Sequence, residues 1–172
     1  GGFEILLVGL GYRGRRIADA TTRFLRHVAR DRGPALKLAD GRTIHIGGRG
    51  HVVGYAGHNH LMDARGFAFP RVRRRTAVGY FALACMSAPY MAEKLCGPRT
   101  RALLLTRSLM YPGAFTIDGL LRGLAAGGSQ QRVFRRGCAL YARYQKRPQG
   151  AIRRAFIHDG QARFRRAFRR CR

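Results

Sequence analysis

The sequence predicts an α/β domain whose sheet is mainly parallel and flanked by helices. Two observations carry that expectation. Short apolar runs that read as strands recur along the chain, at 3–8, 51–56, 77–84 and 102–106. Between several of them lie helical periodicity or connections too long for a hairpin, the pattern of strands joined by crossovers. A third observation sets the scale: 172 residues, 46% of them apolar, can bury a core without disulfide staples.

The elements follow in order. Phe3 to Val8, "FEILLV", reads as a buried strand. Ile17, Thr21, Phe24, Leu25 and Val28 then recur on one face at helical period, and "RDRGP" at 30–34 ends that helix. Residues 35–50 form a Gly-rich loop with a hairpin around Asp40-Gly41. "HVVGYA" (51–56) is the second core strand and "AVGYFALA" (77–84) the third, with a polar connector between them. A short helix over 88–95 is broken by "CGPRTR", and "ALLLT" (102–106) is the fourth strand. Helices are expected over 115–125 and 132–146. The organisation is therefore one α/β domain over 1–150, followed by a basic amphipathic tail over 151–172. That tail reads as a helix with Phe156, Phe164 and Phe168 on one side. The abrupt "GGFEILL" start reads as an internal cut or a missing N-terminal part.

The charge is extreme. Lys and Arg number 34 against 8 Asp and Glu, a net of +26, and only Lys37, Lys94 and Lys146 are lysine. Such a field attracts polyanions, nucleic acid and anionic surfaces among them. Arginines interleaved with aromatics, as in "ARFRRAFRR" (162–170), can hold phosphates and stack on bases. The competing reading is codon bias in a GC-rich genome, since the arginines are spread along the chain. No signal peptide is evident, and no apolar run is long enough to span a membrane. The four cysteines, Cys85, Cys96, Cys138 and Cys171, show no CxxC pair or zinc spacing and read as thiols.

Three stretches carry candidate chemistry. "GLGYRG" (9–14) satisfies G-x-G-x-x-G after an apolar run and before a helix, the context of a dinucleotide-binding turn. The acidic residue that should close a second strand about 20 residues on is missing, because Asp31 and Asp40 sit in loop-like sequence. The stretch is therefore taken as a strand-to-helix turn that uses glycine for its backbone freedom, and no cofactor is expected. The cluster His58, His60 and Asp63 in "GHNHLMD" has donor types that suit zinc, but lacks the spacing of further ligands. A metal-dependent hydrolase through these three residues is kept as an alternative.

The third pairs two strand ends. His58 follows one apolar strand and Cys85 closes the next. In a parallel sheet such positions meet at the C-terminal edge, where α/β sites form. A thiol beside an imidazole is activated as a nucleophile. Cys85 is the expected nucleophile and His58 the acid/base. Asp63 is placed to orient a histidine or contact a basic substrate side chain. The backbone N–H groups of Cys85 and Gly57 are candidate oxyanion donors, and Ser87 helps leave room for a substrate carbonyl. Thr106 and Ser108, past the next strand, are expected to line the cleft.

The order strand–helix–strand–His, then strand–Ala-Cys–Ser, resembles the caspase-like cysteine peptidases. The match rests on "LACMS" (83–87) and "GHNH" (57–60), where Asn59 stands in place of those peptidases' Gly. The chain also resembles an uncharacterised bacterial group with segments like "YVGHNGLMD", "LACKS" and "LMAPEAYTL". Here the matching stretches are "YAGHNHLMD" (55–63), "LACMS" and "LMYPGAFTI" (109–117), and His60 stands where the group has Gly. The resemblance covers roughly residues 3–157. That group implies no activity; the more distant resemblance to the peptidases implies a caspase-like three-layer sandwich acting on a peptide or protein substrate through Cys85 and His58. The rival expectation is a basic module for nucleic acid or anionic surfaces, with no catalysis.

Overall fold

The structure, a computed structural model, describes residues 4–111 and 113–171. Its centre is a four-stranded sheet in the order β3-β4-β5-β6. The strands are β3 (Val52–Ala56), β4 (Val78–Leu83), β5 (Thr100–Thr106) and β6 (Phe156–Ile157). The first three run parallel and β6 is antiparallel to β5. A separate hairpin, β1 (Ala35–Lys37) with β2 (Thr43–His45), turns at Asp40-Gly41, where Gly41 takes φ +84. Three of the four core strands, this hairpin and the α/β class thus follow the sequence expectation.

Helices cover both faces of the sheet. On one face α1 (Ile17–Ala29), α2 (Ser87–Leu95) and α6 (Ala162–Ala167) bury Phe24, Leu25, Met91, Leu95 and Phe164 against Tyr55, Tyr80 and Ala82. On the other, α3 (Phe115–Ala125), α4 (Gln130–Tyr144) and α5 (Gln149–Ala155) bury Leu120, Phe134 and Ile152 against Phe81, Leu83 and Leu104. Alternate residues of β4 serve the two cores, as the two-residue strand period requires. β4 and β5 are buried almost throughout, so they read as continuous apolar runs. β3 is an edge strand with Gly54 and Ala56 exposed. Gly54 is required there, because a Cβ would lie 2.1 Å from the Phe81 ring.

Two expectations are corrected. Of the run read as a first strand, Phe3 lies outside the described residues, and Glu4 to Val8 form no strand. Ile5, Leu6, Leu7 and Val8 are exposed, and Glu4 is instead held by Arg42 of the hairpin at 2.8 Å. The run is apolar but meets no strand to pair with among the described residues. The segment from Ala151, expected as one amphipathic helix, is divided into α5, β6 and α6. Phe156 opposes Thr106 and Ile157 opposes Leu105, which turns the segment into the sheet. Phe156, Ile157 and Phe164 are buried, and Phe168 packs at the margin of the core.

An arginine organises the entry to β4. The Arg74 side chain is 1% exposed and ion-paired with Asp31 at 3.1 Å. It donates to the carbonyls of His27, Arg30, Gly48 and Thr76, so the end of α1, the 47–49 turn and the start of β4 share one donor fork. Burial opposes ionisation of Asp31. Hydrogen bonds from the Thr76 side chain and the Arg75 and Thr76 N–H groups, with the Arg74 charge, outweigh it and hold the carboxyl below its usual range.

Candidate functional site

The site is built on the parallel pairing of β3 and β4, in which Ala56 is the register partner of Leu83. His58 and Cys85 each lie two residues past that pair, so both loops leave the C-terminal edge of the sheet together. The Gly57 N–H donates to Leu83 O at 3.1 Å and extends the ladder by one step. Gly57 therefore ties the two strand ends together, and its N–H is not free for an oxyanion as the sequence suggested. The Cys85 N–H, the other expected donor, has no acceptor among the described residues.

Asn59 joins the loops. It is fully buried, its Nδ2 donates to Cys85 O at 2.7 Å, and its Oδ1 accepts from Leu61 N at 3.2 Å. An asparagine here provides a donor toward one loop and an acceptor for its own turn, which glycine cannot. The Tyr55 hydroxyl donates to His58 O at 2.7 Å and holds the same loop from below.

The short turn His60–Met62 brings Asp63 back to His58. His58 Nε2 lies 2.5 Å from Asp63 Oδ2, and both side chains are more than half exposed. Of the two roles expected for Asp63, contact with a histidine is thus present. His60 turns elsewhere and packs edge-on against Phe67, with ring centroids 6.4 Å apart. Among the described residues, no three His, Cys, Asp or Glu side chains gather as a metal-binding group, His58, His60 and Asp63 included.

Cys85 sits at a sharp elbow. Met86 follows it in the left-handed region, φ 55, before α2 begins at Ser87. A non-glycine residue there is costly and persists only where its surroundings fix it. Ser87 and Thr106 supply the fixing, and both are buried. The Ser87 N–H donates to Thr106 Oγ1 at 3.0 Å, Ser87 Oγ donates to Ala82 O at 2.8 Å, and Thr106 Oγ1 donates to Ala84 O. The Met86 N–H donates to Ser108 O at 3.0 Å. Ser87 is thus a brace for the elbow and not an open space beside the thiol.

The Cys85 sulfur is half-buried and accepts from the Met110 N–H at 3.4 Å. Met110 also borders a cleft of about 200 Å³, along with Thr106, Ser108, Tyr141, Arg147 and Phe156. Thr106 and Ser108 thus line a cleft shared with Met110, whose N–H meets the Cys85 sulfur. Burial pushes the Tyr141 hydroxyl up from its usual range, and a nearby Cys85 charge adds to the rise. Among the described residues, His58 and Cys85 make no hydrogen bond with each other: the imidazole faces Asp63 and the sulfur faces Met110.

The other thiols differ in setting. Cys138 is buried in the second core, and desolvation pushes it up to about 12, which makes it inert near neutrality. Cys171 is raised by burial and by its hydrogen bond with Cys96.

Met110 and Tyr141 were not singled out from the sequence. Met110 belongs to "LMYPGAFTI", a stretch that the sequence does single out, and Tyr141 lies within the expected helix over 132–146. Only the fold shows that the two border one cleft. No protein-family model, curated protein or solved structure matches the chain.

Proposed function

We propose that the chain is a thiol hydrolase of peptide or related amide bonds, with Cys85 as nucleophile and His58 as acid/base. The observation that supports this reading is the register of β3 and β4, which sets the two residues at equivalent positions past adjacent parallel strands, with their loops tied by Asn59. In this reading Asp63 is a positioning residue. With Nε2 held by Asp63, Nδ1 is the ring nitrogen left to take the thiol proton.

The reaction then runs through an acyl-enzyme. The Cys85 thiol gives its proton to His58, and the thiolate attacks the carbonyl carbon. The Cys85 N–H meets the oxyanion of the tetrahedral intermediate. As the C–N bond breaks, the leaving amine takes the proton from the imidazolium. Water, deprotonated by the imidazole, then attacks the thioester carbonyl, and Cys85 leaves and is reprotonated. The cleft beside Met110 receives the substrate side chain next to the scissile bond.

The test is the rate at which iodoacetamide alkylates each cysteine at pH 7, read by peptide mapping, together with turnover of a mixed peptide library. Cys85 should react fastest, and His58→Ala should slow it by about tenfold or more with Cys96 unchanged. Library cleavage should vanish in Cys85→Ala. A Cys85 that alkylates no faster than Cys138, and is indifferent to His58, would sink the reading.

A further inference from the structure

A second concave surface lies where the chain enters α1. It has a volume of about 550 Å³ and is lined by Gly9 to Arg13 and by Arg15, Arg16 and Arg23. Four arginines thus face one groove. Of these only Arg16 has a carboxylate partner among the described residues, Asp19 at 2.8 Å. Arg23 lies over the Tyr12 ring, 5.8 Å from its centroid. The turn Gly14–Arg16 has no side-chain cap, and its last N–H groups are used within the chain, Arg16 N–H to Arg13 O and Ile17 N–H to Gly14 O.

Several arginines elsewhere are absorbed by the fold: Arg74 serves five carbonyls and Asp31, Arg136 serves Arg122 O, and Arg163 serves Phe156 O. Arg13, Arg15 and Arg23 make no such bond among the described residues.

We infer that this groove binds a chain of phosphates, held by Arg13, Arg15 and Arg23. Planar guanidinium forks match phosphate oxygens in pairs. The lining has no acidic residue, so nothing in it opposes the charge of the ligand. The inference does not rest on the thiol chemistry, because none of these residues belongs to the Cys85 site. The shared chemistry is the linked phosphate, which a small polyphosphate or a single nucleic-acid strand both supply.

Two probes separate those sources: tripolyphosphate by calorimetry and a fluorescein-labelled 12-mer of thymidylate by anisotropy, both at several salt concentrations. Because the whole chain carries +26, the control is an equal charge loss elsewhere. The Arg13→Gln/Arg15→Gln/Arg23→Gln variant should weaken tripolyphosphate binding by about tenfold or more. Arg153→Gln/Arg154→Gln/Arg165→Gln should change it by less than about threefold. If the oligonucleotide follows the same pattern, with its salt slope reduced by roughly 2, a strand occupies the groove. If it is indifferent to the groove variant, the ligand is a small phosphate chain. Equal losses in both triple variants, or no binding of either probe at low salt, would overturn the inference.

Discussion

The two ends of the chain exchange the roles that their compositions suggest. Residues 4–10 are the apolar end, yet Leu7 is 68% exposed and Leu10 52%. The segment from Ala151 is dense in arginine, yet Phe156, Ile157, His158 and Phe164 are almost completely buried. The difference lies in pairing. β6 meets the open side of β5, and the Arg107 N–H to Ala155 O bond at 2.8 Å carries the contact one residue further. Asp159 then closes it, its carboxylate accepting from Ala102 N at 2.9 Å. The N-terminal run meets no strand among the described residues, so its apolar surface stays uncovered. Apolar composition decides what is gained by burial, and an available hydrogen-bonded edge decides whether burial happens.

The largest expected effect tests that contrast directly. Phe156→Ala removes a side chain that opposes Thr106 and packs edge-on to Tyr141, with centroids 5.1 Å apart. It should cost about 3–5 kcal/mol in denaturant unfolding. Leu7→Ala should change stability by no more than about 0.5 kcal/mol. A large loss at Leu7 would mean that the apolar end is covered in solution, and would break the comparison.

The same division runs through the arginines. Arg74 lies in "RVRRR" (71–75), beside arginines of the same appearance. Yet its side chain is enclosed and braces three segments, whereas Arg75 is exposed. Arg74→Met leaves several carbonyls without their donor and Asp31 without its ion-pair partner, and should cost about 3 kcal/mol or more. Arg75→Met should stay within about 0.5 kcal/mol. Equal, small losses would show that the Arg74 fork is dispensable and that its burial contributes nothing net.

These pairs also mark what could be read from the sequence. The strands at 52–56, 78–83 and 100–106 were legible because buried parallel strands are continuous apolar runs bounded by turns. The positions of His58 and Cys85 at one sheet edge followed from that alone. Arg74 was not legible, because a run of arginines carries no mark of which one turns inward. β6 was not legible either: two residues at an edge have no period to detect, and the arginines around them read as surface. The buried Asn59 and the brace of Ser87 with Thr106 depend on loop paths that strand periodicity does not set. Asp63 was legible as a partner for a histidine, but its meeting with His58, and not His60, needed the turn at His60–Met62.

The smallest effect lies in pH dependence, and it also bears on whether the basic end belongs to the core. His158 Nε2 donates to Gln131 Oε1 at 2.7 Å, its ring lies 4.7 Å from that of Phe134, and its Nδ1 is enclosed without a partner. Burial lowers its pKa from 6.5, Asp159 opposes the shift and Arg163 adds to it. His27 is lowered as well, again chiefly by burial. A histidine lowered in the folded state is neutral there while the unfolded chain takes up a proton. The stability it contributes is therefore complete above pH 6.5 and is lost as the pH falls through the lowered folded value. The Asp31 carboxyl is also lowered, but its contribution disappears only in the acid range below its ordinary value of 3.8, so the two windows do not overlap. Between pH 7.5 and 5.5 the Tm of the wild type should fall, and His158→Phe should reduce that fall by about 2 °C. His45→Phe, at an exposed position of β2, controls for the general rise in positive charge and should leave the fall unchanged. Equal slopes in all three proteins would place His158 in water, and with it the end of the chain that the sheet has drawn in.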